Sequence, residues 1–234
     1  MADGRVLLIT GASSGIGSQT ARQAAEAGYR LGLGARREER LAELAEELGG
    51  PERAIAVRCD VTEWEDNQRI ASAAIESFGR LDAVFANAGF GAKRGFLEES
   101  PEHWRSMVLT NVLGVALTIR ATLPTLLESG IGHFVITSSV AGRRPLPGSL
   151  YSATKWAVGA IGESLRQELR QMHENHGIRV TLIEPGMTDT EFFDQRPKDA
   201  LADDDIARAV IWALEQPEGV DVNEILIRPS SQAN

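Results

Sequence analysis

Val6-Leu7-Leu8-Ile9-Thr10-Gly11-Ala12-Ser13-Ser14-Gly15-Ile16-Gly17 is the stretch on which the reading of this chain turns. Val6 to Ile9 is an unbroken apolar run of strand length, the pattern of a strand covered on both faces; a half-exposed strand alternates apolar with polar residues. Glycines spaced G-x-x-x-G-x-G follow at once. From Ile16 to Ala27 the chain is rich in Ala, Gln, Arg and Glu and stops at Gly28, which predicts a helix with a glycine at its end. A glycine turn between a buried strand and a helix lets the backbone approach a pyrophosphate, whose charge then meets the helix N-terminus. Gly11, Ser13, Ser14, Gly15, Ile16 and Gly17 are therefore candidate phosphate-binding positions. The same turn, taken alone, also suits a mere tight connection, so its weight depends on the rest of the chain.

Working outward, strand-length apolar runs alternate with helix-periodic stretches to the C-terminus. Further strands are expected over Arg30 to Ala35 and near 54–59, 81–86, 132–138, 178–184 and 224–228. Leu41, Leu44, Ala45 and Leu48 form one apolar helical stripe ended by Gly49-Gly50-Pro51, and helices are expected over roughly 63–78, 102–128, 151–175 and 204–216. Fully apolar strands alternating with helices imply an α/β fold, a doubly wound parallel sheet flanked by helices. No linker or repeat divides the 234 residues, so one domain over 1–234 is expected, with a cofactor half of about 1–135 and a catalytic and substrate half of about 136–234. The longest irregular stretch runs from Pro185 to about Asp203 and carries Phe192, Phe193 and Pro197.

Composition narrows the function classes. With 43% hydrophobic and 24% charged residues the chain sits near the globular average, which excludes a disordered or collagen-like chain. A formal charge of −9 argues against nucleic acid as a partner. The single cysteine, Cys59, cannot form an intrachain disulfide and fits a reducing compartment. No uninterrupted run of about 18 apolar residues offers a bilayer span, and Val6 to Ile9 is short for a signal-peptide core. A soluble cytoplasmic protein with no membrane partner is expected.

Later motifs give the glycine turn its meaning. Thr10-Gly11-x3-Gly15-x-Gly17 is followed by Asp60-Val61 after the third strand, Asn87-Ala88-Gly89 after the fourth, and Asn111 in the next helix. Ser138-Ser139 then ends the fifth strand, Tyr151-x3-Lys155 opens a helix, and Pro185-Gly186 follows the sixth strand, with Thr188 and Thr190 just beyond. In this order and over essentially the whole chain, the set resembles the compact, single-domain short-chain dehydrogenases/reductases. The resemblance implies a Rossmann-type fold and an oxidoreductase that interconverts a small-molecule carbonyl compound and an alcohol. Tyr151 would be the general acid/base, Lys155 would lower its pKa and hold the nicotinamide ribose, Ser139 would polarise the carbonyl, and Asn111 would support a proton-relay water. Asp60 and Val61 would meet the adenine ring, while Asn87, Ala88, Gly89, Pro185, Gly186, Thr188 and Thr190 would complete the cofactor cleft, Thr190 at the carboxamide. It also implies a homodimer or homotetramer, joined through the helices at 102–128 and 151–175, where Ala157, Ala160 and Ile161 allow close approach.

Several readings rest on the residues themselves. Tyr151 and Lys155 are four apart and share a helix face, so an ammonium there favours the phenolate. Two serines compete: the local pattern Ser139-Val140-Ala141-Gly142 selects Ser139, whereas the family's usual thirteen-residue spacing to the tyrosine selects Ser138. Gly34-Ala35-Arg36-Arg37 ends the second strand with two arginines where NAD-selective folds place an acid; a guanidinium pairs with a 2′-phosphate, so NADP is expected ahead of NAD, with Arg36 ahead of Arg37. Thr62 is the expected cap of the following helix. Lys93-Arg94 and Arg143-Arg144 read as charged surface loops near the pocket mouth, with an anionic substrate as the alternative. His173 and His176 read as a solvated helix end rather than a metal pair, and Trp64, Trp104, Trp156 and Trp212 as core or interface packing. The competing functions are a non-catalytic NADP-binding regulator or scaffold, and an epimerase or dehydratase.

Overall fold

The computed structural model describes residues 4–189 and 199–232. Thr190, Phe192, Phe193 and Pro197 lie outside them. Seven parallel strands form one sheet in the order β3-β2-β1-β4-β5-β6-β9. They are β1 (Val6–Thr10), β2 (Arg30–Ala35), β3 (Ala54–Arg58), β4 (Ala83–Ala86), β5 (Ile131–Thr137), β6 (Gly177–Pro185) and, last in the chain, β9 (Glu224–Ile227). The helices between them are α1 (Gly15–Glu26), α2 (Glu38–Glu47), α3 (Trp64–Phe78), α4 (Pro101–Val108), α5 (Val115–Ser129), α6 (Leu150–Gln171) and α7 (Asp203–Leu214).

Side-chain alternation sorts the core into two layers. Leu7 and Ile9 of β1 pack with Ala21, Leu41, Leu44 and Val210 beneath α1, α2 and α7. Val6 and Leu8 pack with Ile70, Phe78, Ile119 and Leu165 beneath α3, α5 and α6. Every residue of β1 is buried, as an unbroken apolar run requires. The order of the sheet reverses between β1 and β4, and such a switch point leaves a crevice at the carboxyl ends of the strands.

Four expectations need amending. The helix expected over 102–128 is interrupted: Leu109–Gly114 winds as a π turn between α4 and α5, a device that apolar periodicity does not reveal and that recurs at functional sites. The combined stretch Pro101–Ser129 is also long and apolar enough to cross a membrane by length and composition, although its Val115, Ile119 and Leu126 are committed to the core. Thr62 does not cap α3. Glu63 holds that position, and the Thr62 hydroxyl donates to Asp60 Oδ1 at 2.8 Å. Finally, the irregular stretch after Pro185 is pinched at its base, where β7 (Thr188–Asp189) pairs with β8 (Leu201–Ala202). The tryptophans stay on helices but none is buried; Trp156 and Trp212 are each 52% exposed.

Candidate active site

A cleft of about 590 Å³ opens at the switch point, lined by the residues that follow the carboxyl ends of β1 to β6. Its floor is the glycine turn. Gly11 has φ +68°, which a side chain rarely tolerates, and a Cβ there would lie 2.9 Å from Ala88 Cα. A Cβ on Gly17 would stand 2.3 Å from the Gly11 carbonyl oxygen. The first glycine thus makes the turn, and the last lets α1 sit against it with its N-terminus facing the cleft. Asn87, just after β4, fastens this floor to two further strands: its backbone N–H donates to Thr10 Oγ1 at 3.1 Å, its Nδ2 to the Thr10 carbonyl at 3.3 Å, and its Oδ1 accepts from Thr137 Oγ1 at 3.0 Å. All the expected cofactor positions among the described residues line the cleft except Gly17, which acts through packing.

At the second strand's end the two arginines differ. Arg37 is engaged by the turn, donating through Nε to Ser13 Oγ at 3.0 Å and through Nη2 to Ser14 Oγ. Arg36 lines the cleft, is exposed, and makes no hydrogen bond or ion pair with a described residue. At the third strand's end, Asp60 and Val61 line the cleft. The Asp60 carboxylate also accepts the Thr62 backbone N–H at 3.1 Å, which fixes the turn into α3.

The opposite wall carries Tyr151, Lys155 and the two serines. Tyr151 and Lys155 lie on the first turns of α6, whose N-cap Ser149 accepts from the Ser152 N–H at 3.2 Å. Lys155 is 4% exposed; its Nζ donates to the Thr137 carbonyl at 2.8 Å and stands 5.7 Å from the centre of the Tyr151 ring. Ser139 Oγ accepts from the Ala141 N–H at 3.1 Å, donates to the Pro185 carbonyl at 3.4 Å, and lines the cleft with Tyr151. Ser138 turns the other way and donates to the Lys155 carbonyl at 3.3 Å. The two hydroxyls have different partners, and the one that acts on the phenol is Ser139.

Charge at this pair departs from expectation. Burial pushes the Tyr151 phenol up to about 12, with the Ser139 hydroxyl opposing it. Burial brings the Lys155 ammonium down to about 8. Sequence spacing foresees the attraction between the two groups but not the desolvation, which dominates in the protein alone. Tyr151 is therefore held as a protonated phenol, a proton donor.

Asn111 is the other departure. It is 1% exposed and is not among the residues lining the cleft, whereas its neighbour Thr110 is. Its Oδ1 accepts the Phe90 N–H at 3.0 Å, and its Nδ2 donates to the Phe90 carbonyl at 2.9 Å and to Thr154 Oγ1 at 3.2 Å. The amide thus ties the loop after β4 to α6, with both Nδ2 hydrogens and one Oδ1 lone pair engaged.

Sequence reading missed Gln232, which lines the cleft along with Phe90, Leu146 and Met187. Gln232 Oε1 accepts the Met187 N–H at 2.9 Å, so the C-terminal tail folds onto the segment after β6. No motif signals that contact. Arg143 points away from a substrate role: its Nε donates to Glu184 Oε2 at 2.7 Å and its Nη2 to Glu224. His173 faces Glu168 Oε1 at 3.3 Å, and no metal-holding group of His, Cys, Asp or Glu occurs among the described residues.

A Rossmann-type sheet with a glycine turn at its switch point and a Tyr-Lys helix on the facing wall defines a dinucleotide-dependent oxidoreductase fold. The short chain dehydrogenase family matches residues 5–201, and this chain belongs to it. It is 39% identical to an uncharacterized oxidoreductase of Listeria monocytogenes, with 97% of each chain covered. Among solved structures it is similar to an alcohol dehydrogenase of the archaeon Thermococcus sibiricus complexed with 5-hydroxy-NADP, at 35% identity and a TM-score of 0.87 over 98% of each chain. A 3-ketoacyl-(acyl-carrier-protein) reductase of Brucella melitensis complexed with NADH is similar at 28% identity and a TM-score of 0.88, covering 98% of this chain and 99% of that one.

Proposed function

We propose that this protein is an NADP(H)-dependent oxidoreductase that interconverts a carbonyl compound and an alcohol, with Tyr151 as its general acid/base. The observation that carries the reading is that Ser139, Tyr151 and Lys155 line one cleft together with the glycine turn. The floor fits a nicotinamide dinucleotide because Gly11 and Gly17, packed too closely against Ala88 and the Gly11 carbonyl to carry side chains, keep the turn compact and its backbone bare. Gly11, Ser13, Ser14, Gly15 and Ile16 would hold the pyrophosphate, Asp60 and Val61 the adenine, and Asn87, Ala88, Gly89, Pro185, Gly186, Thr188 and Thr190 the rest. When bound, the nicotinamide supplies or accepts a hydride at the substrate carbon.

The chain's own residues handle the proton and the oxygen. Ser139 donates to the carbonyl oxygen and stabilises the charge that develops there. Tyr151 gives its proton to that oxygen in reduction and takes one from the hydroxyl in oxidation. Lys155 holds the ribose hydroxyls with the ammonium hydrogens not donated to Thr137 and, when charged, favours the tyrosinate left behind. Asn111 serves as a positioning residue, fixing Phe90 and α6 so that a proton path from solvent keeps its geometry.

NADP is preferred over NAD because the turn after β2 offers Arg36 and Arg37 and no carboxylate. Both solved relatives cited carry a nicotinamide cofactor, one related to NADP and one NADH, so the arginines decide. A homodimer or homotetramer fits the exposed Val108, Leu109 and Leu113 on the α4–α5 stretch and the exposed Trp156 on α6. Screening aldehydes, ketones and alcohols against NADPH and NADH by cofactor absorbance tests the reading. Turnover with an NADPH preference is expected; a panel that consumes neither cofactor overturns it.

A further inference from the structure

The mouth of the cleft carries more positive charge than carbonyl chemistry requires. A second cavity of about 710 Å³ adjoins the first and shares Arg94, Leu146, Met187 and Gln232 with it. Arg94, Arg143, Arg144 and Arg228 line this cavity, and no Asp or Glu lines it among the described residues. The chain as a whole has 33 acidic against 24 basic residues, so four arginines about one cavity run against its composition.

Two of the four are available. Arg143 is held by Glu184 and Glu224, and Arg144 has a partner. Arg94 and Arg228 make no hydrogen bond or ion pair with a described residue. Both stand on fixed backbone. Next to Arg94, the Gly95 N–H donates to the Gly148 carbonyl at 2.8 Å, tying its loop to the one that leads into Tyr151. Gly148 has φ +59°, and a Cβ on it would lie 2.7 Å from Gly95 Cα. Arg228 follows β9, and its side-chain stem lies against Gly186, where a Cβ would approach its Cγ to 3.0 Å. One guanidinium thus comes from the loop after β4 and the other from the tail after β9, and both face a space continuous with Tyr151.

We infer that this second cavity receives an anionic group, a carboxylate or a phosphate, carried by the substrate whose carbonyl meets Tyr151. This rests on the oxidoreductase reading above and gives its substrate class. Guanidinium groups pair with such anions through charge-assisted, often bidentate bonds. A cleft lined by one sign of charge also concentrates the oppositely charged ligand. The neutral carbonyl end offers little affinity of its own, and binding energy from the remote anion serves to hold it at Ser139 and Tyr151.

The test is a matched series at saturating cofactor: a ketone ending in a carboxylate, the corresponding phosphate ester, and the neutral amide of the same length. In wild type, kcat/KM for at least one anion exceeds that for the amide by about tenfold or more, and the excess shrinks with added salt. Whichever anion leads identifies its source. Arg94→Gln and Arg228→Gln each collapse the anion-to-amide ratio toward one. If wild type turns over the amide as well as both anions, or if the variants lower all three alike, the inference is overturned while the oxidoreductase reading stands. If no member is turned over and the broad carbonyl panel is also inert, both fall.

Discussion

At the floor of the cleft, Gly11, Gly17, Asn87 and Thr10 are locked by backbone approaches that leave no room for even a Cβ. At its mouth, Arg94, Leu146, Met187 and Gln232 come from four separated segments that meet through single hydrogen bonds, Gly95 with Gly148 and Met187 with Gln232. Contacts of the first kind tolerate almost no substitution, since a side chain would displace the ligand or the strand. Contacts of the second kind let residues change while the scaffold stays put, which is how loops on a rigid sheet diversify. In the proposed function the floor holds the cofactor, the wall bearing Tyr151 supplies the chemistry, and the mouth sets which molecule is presented to them.

Variants can break or sharpen this contrast. Tyr151→Phe keeps the ring and removes the proton, so turnover should fall by about 10²–10⁴. Cofactor affinity should stay close to wild type, measured by fluorescence titration. Ser139→Ala should lower kcat by about 10² or more, as expected for loss of one oxyanion donor, whereas Ser138→Ala should cost far less because that hydroxyl serves the Lys155 carbonyl. The reverse ranking would reassign the two serines.

Paired glycine substitutions compare floor and mouth directly. Gly17→Ala places a methyl 2.3 Å from the Gly11 carbonyl oxygen, and the displaced turn should weaken cofactor binding by about 10². Gly148→Ala strains the mouth instead; it should raise the substrate KM about severalfold with little change in the cofactor Kd. Equal effects of both on cofactor Kd would contradict the division. Arg36→Asp acts on selectivity: the Kd for NADPH should rise about tenfold or more relative to that for NADH, by loss of a charged hydrogen bond and gain of a repulsive carboxylate. A wild type that binds NADH more tightly than NADPH would remove NADP from the proposal.

Legibility in the sequence followed the same division. The glycine turn, the Tyr-Lys pair and the seven strands are written in local spacing, because a turn, a helix face and a buried strand each depend on neighbours within a few residues. Ser138 and Ser139 differ in the partners their hydroxyls find, the Lys155 and Pro185 carbonyls, which no local pattern reveals, although the pattern Ser139-Val140-Ala141-Gly142 points to Ser139. The π turn at Asn111 was hidden, since its residues keep an ordinary apolar helical pattern while the backbone bonds shift. The raised Tyr151 phenol and lowered Lys155 ammonium were hidden too, because desolvation belongs to the packed state. Arg143 read as a surface charge until its partner Glu224, 81 residues away, came beside it. Gln232 and Arg228 could not be assigned to the cleft from any motif, since their place depends on how the last strand ends beside β6.

The most direct measurement follows an isotope. Reduction of a carbonyl panel with NADPH deuterated at nicotinamide C4, each face labelled in turn, should place the label from one of the two faces on the carbinol carbon of one product class, one deuterium for each such cofactor oxidised, and Tyr151→Phe should slow that incorporation by about 10²–10⁴ at matched cofactor occupancy. Cofactor bound and retained with no label transferred to any carbonyl, or transfer that persists undiminished in Tyr151→Phe, would contradict an oxidoreductase working through this tyrosine.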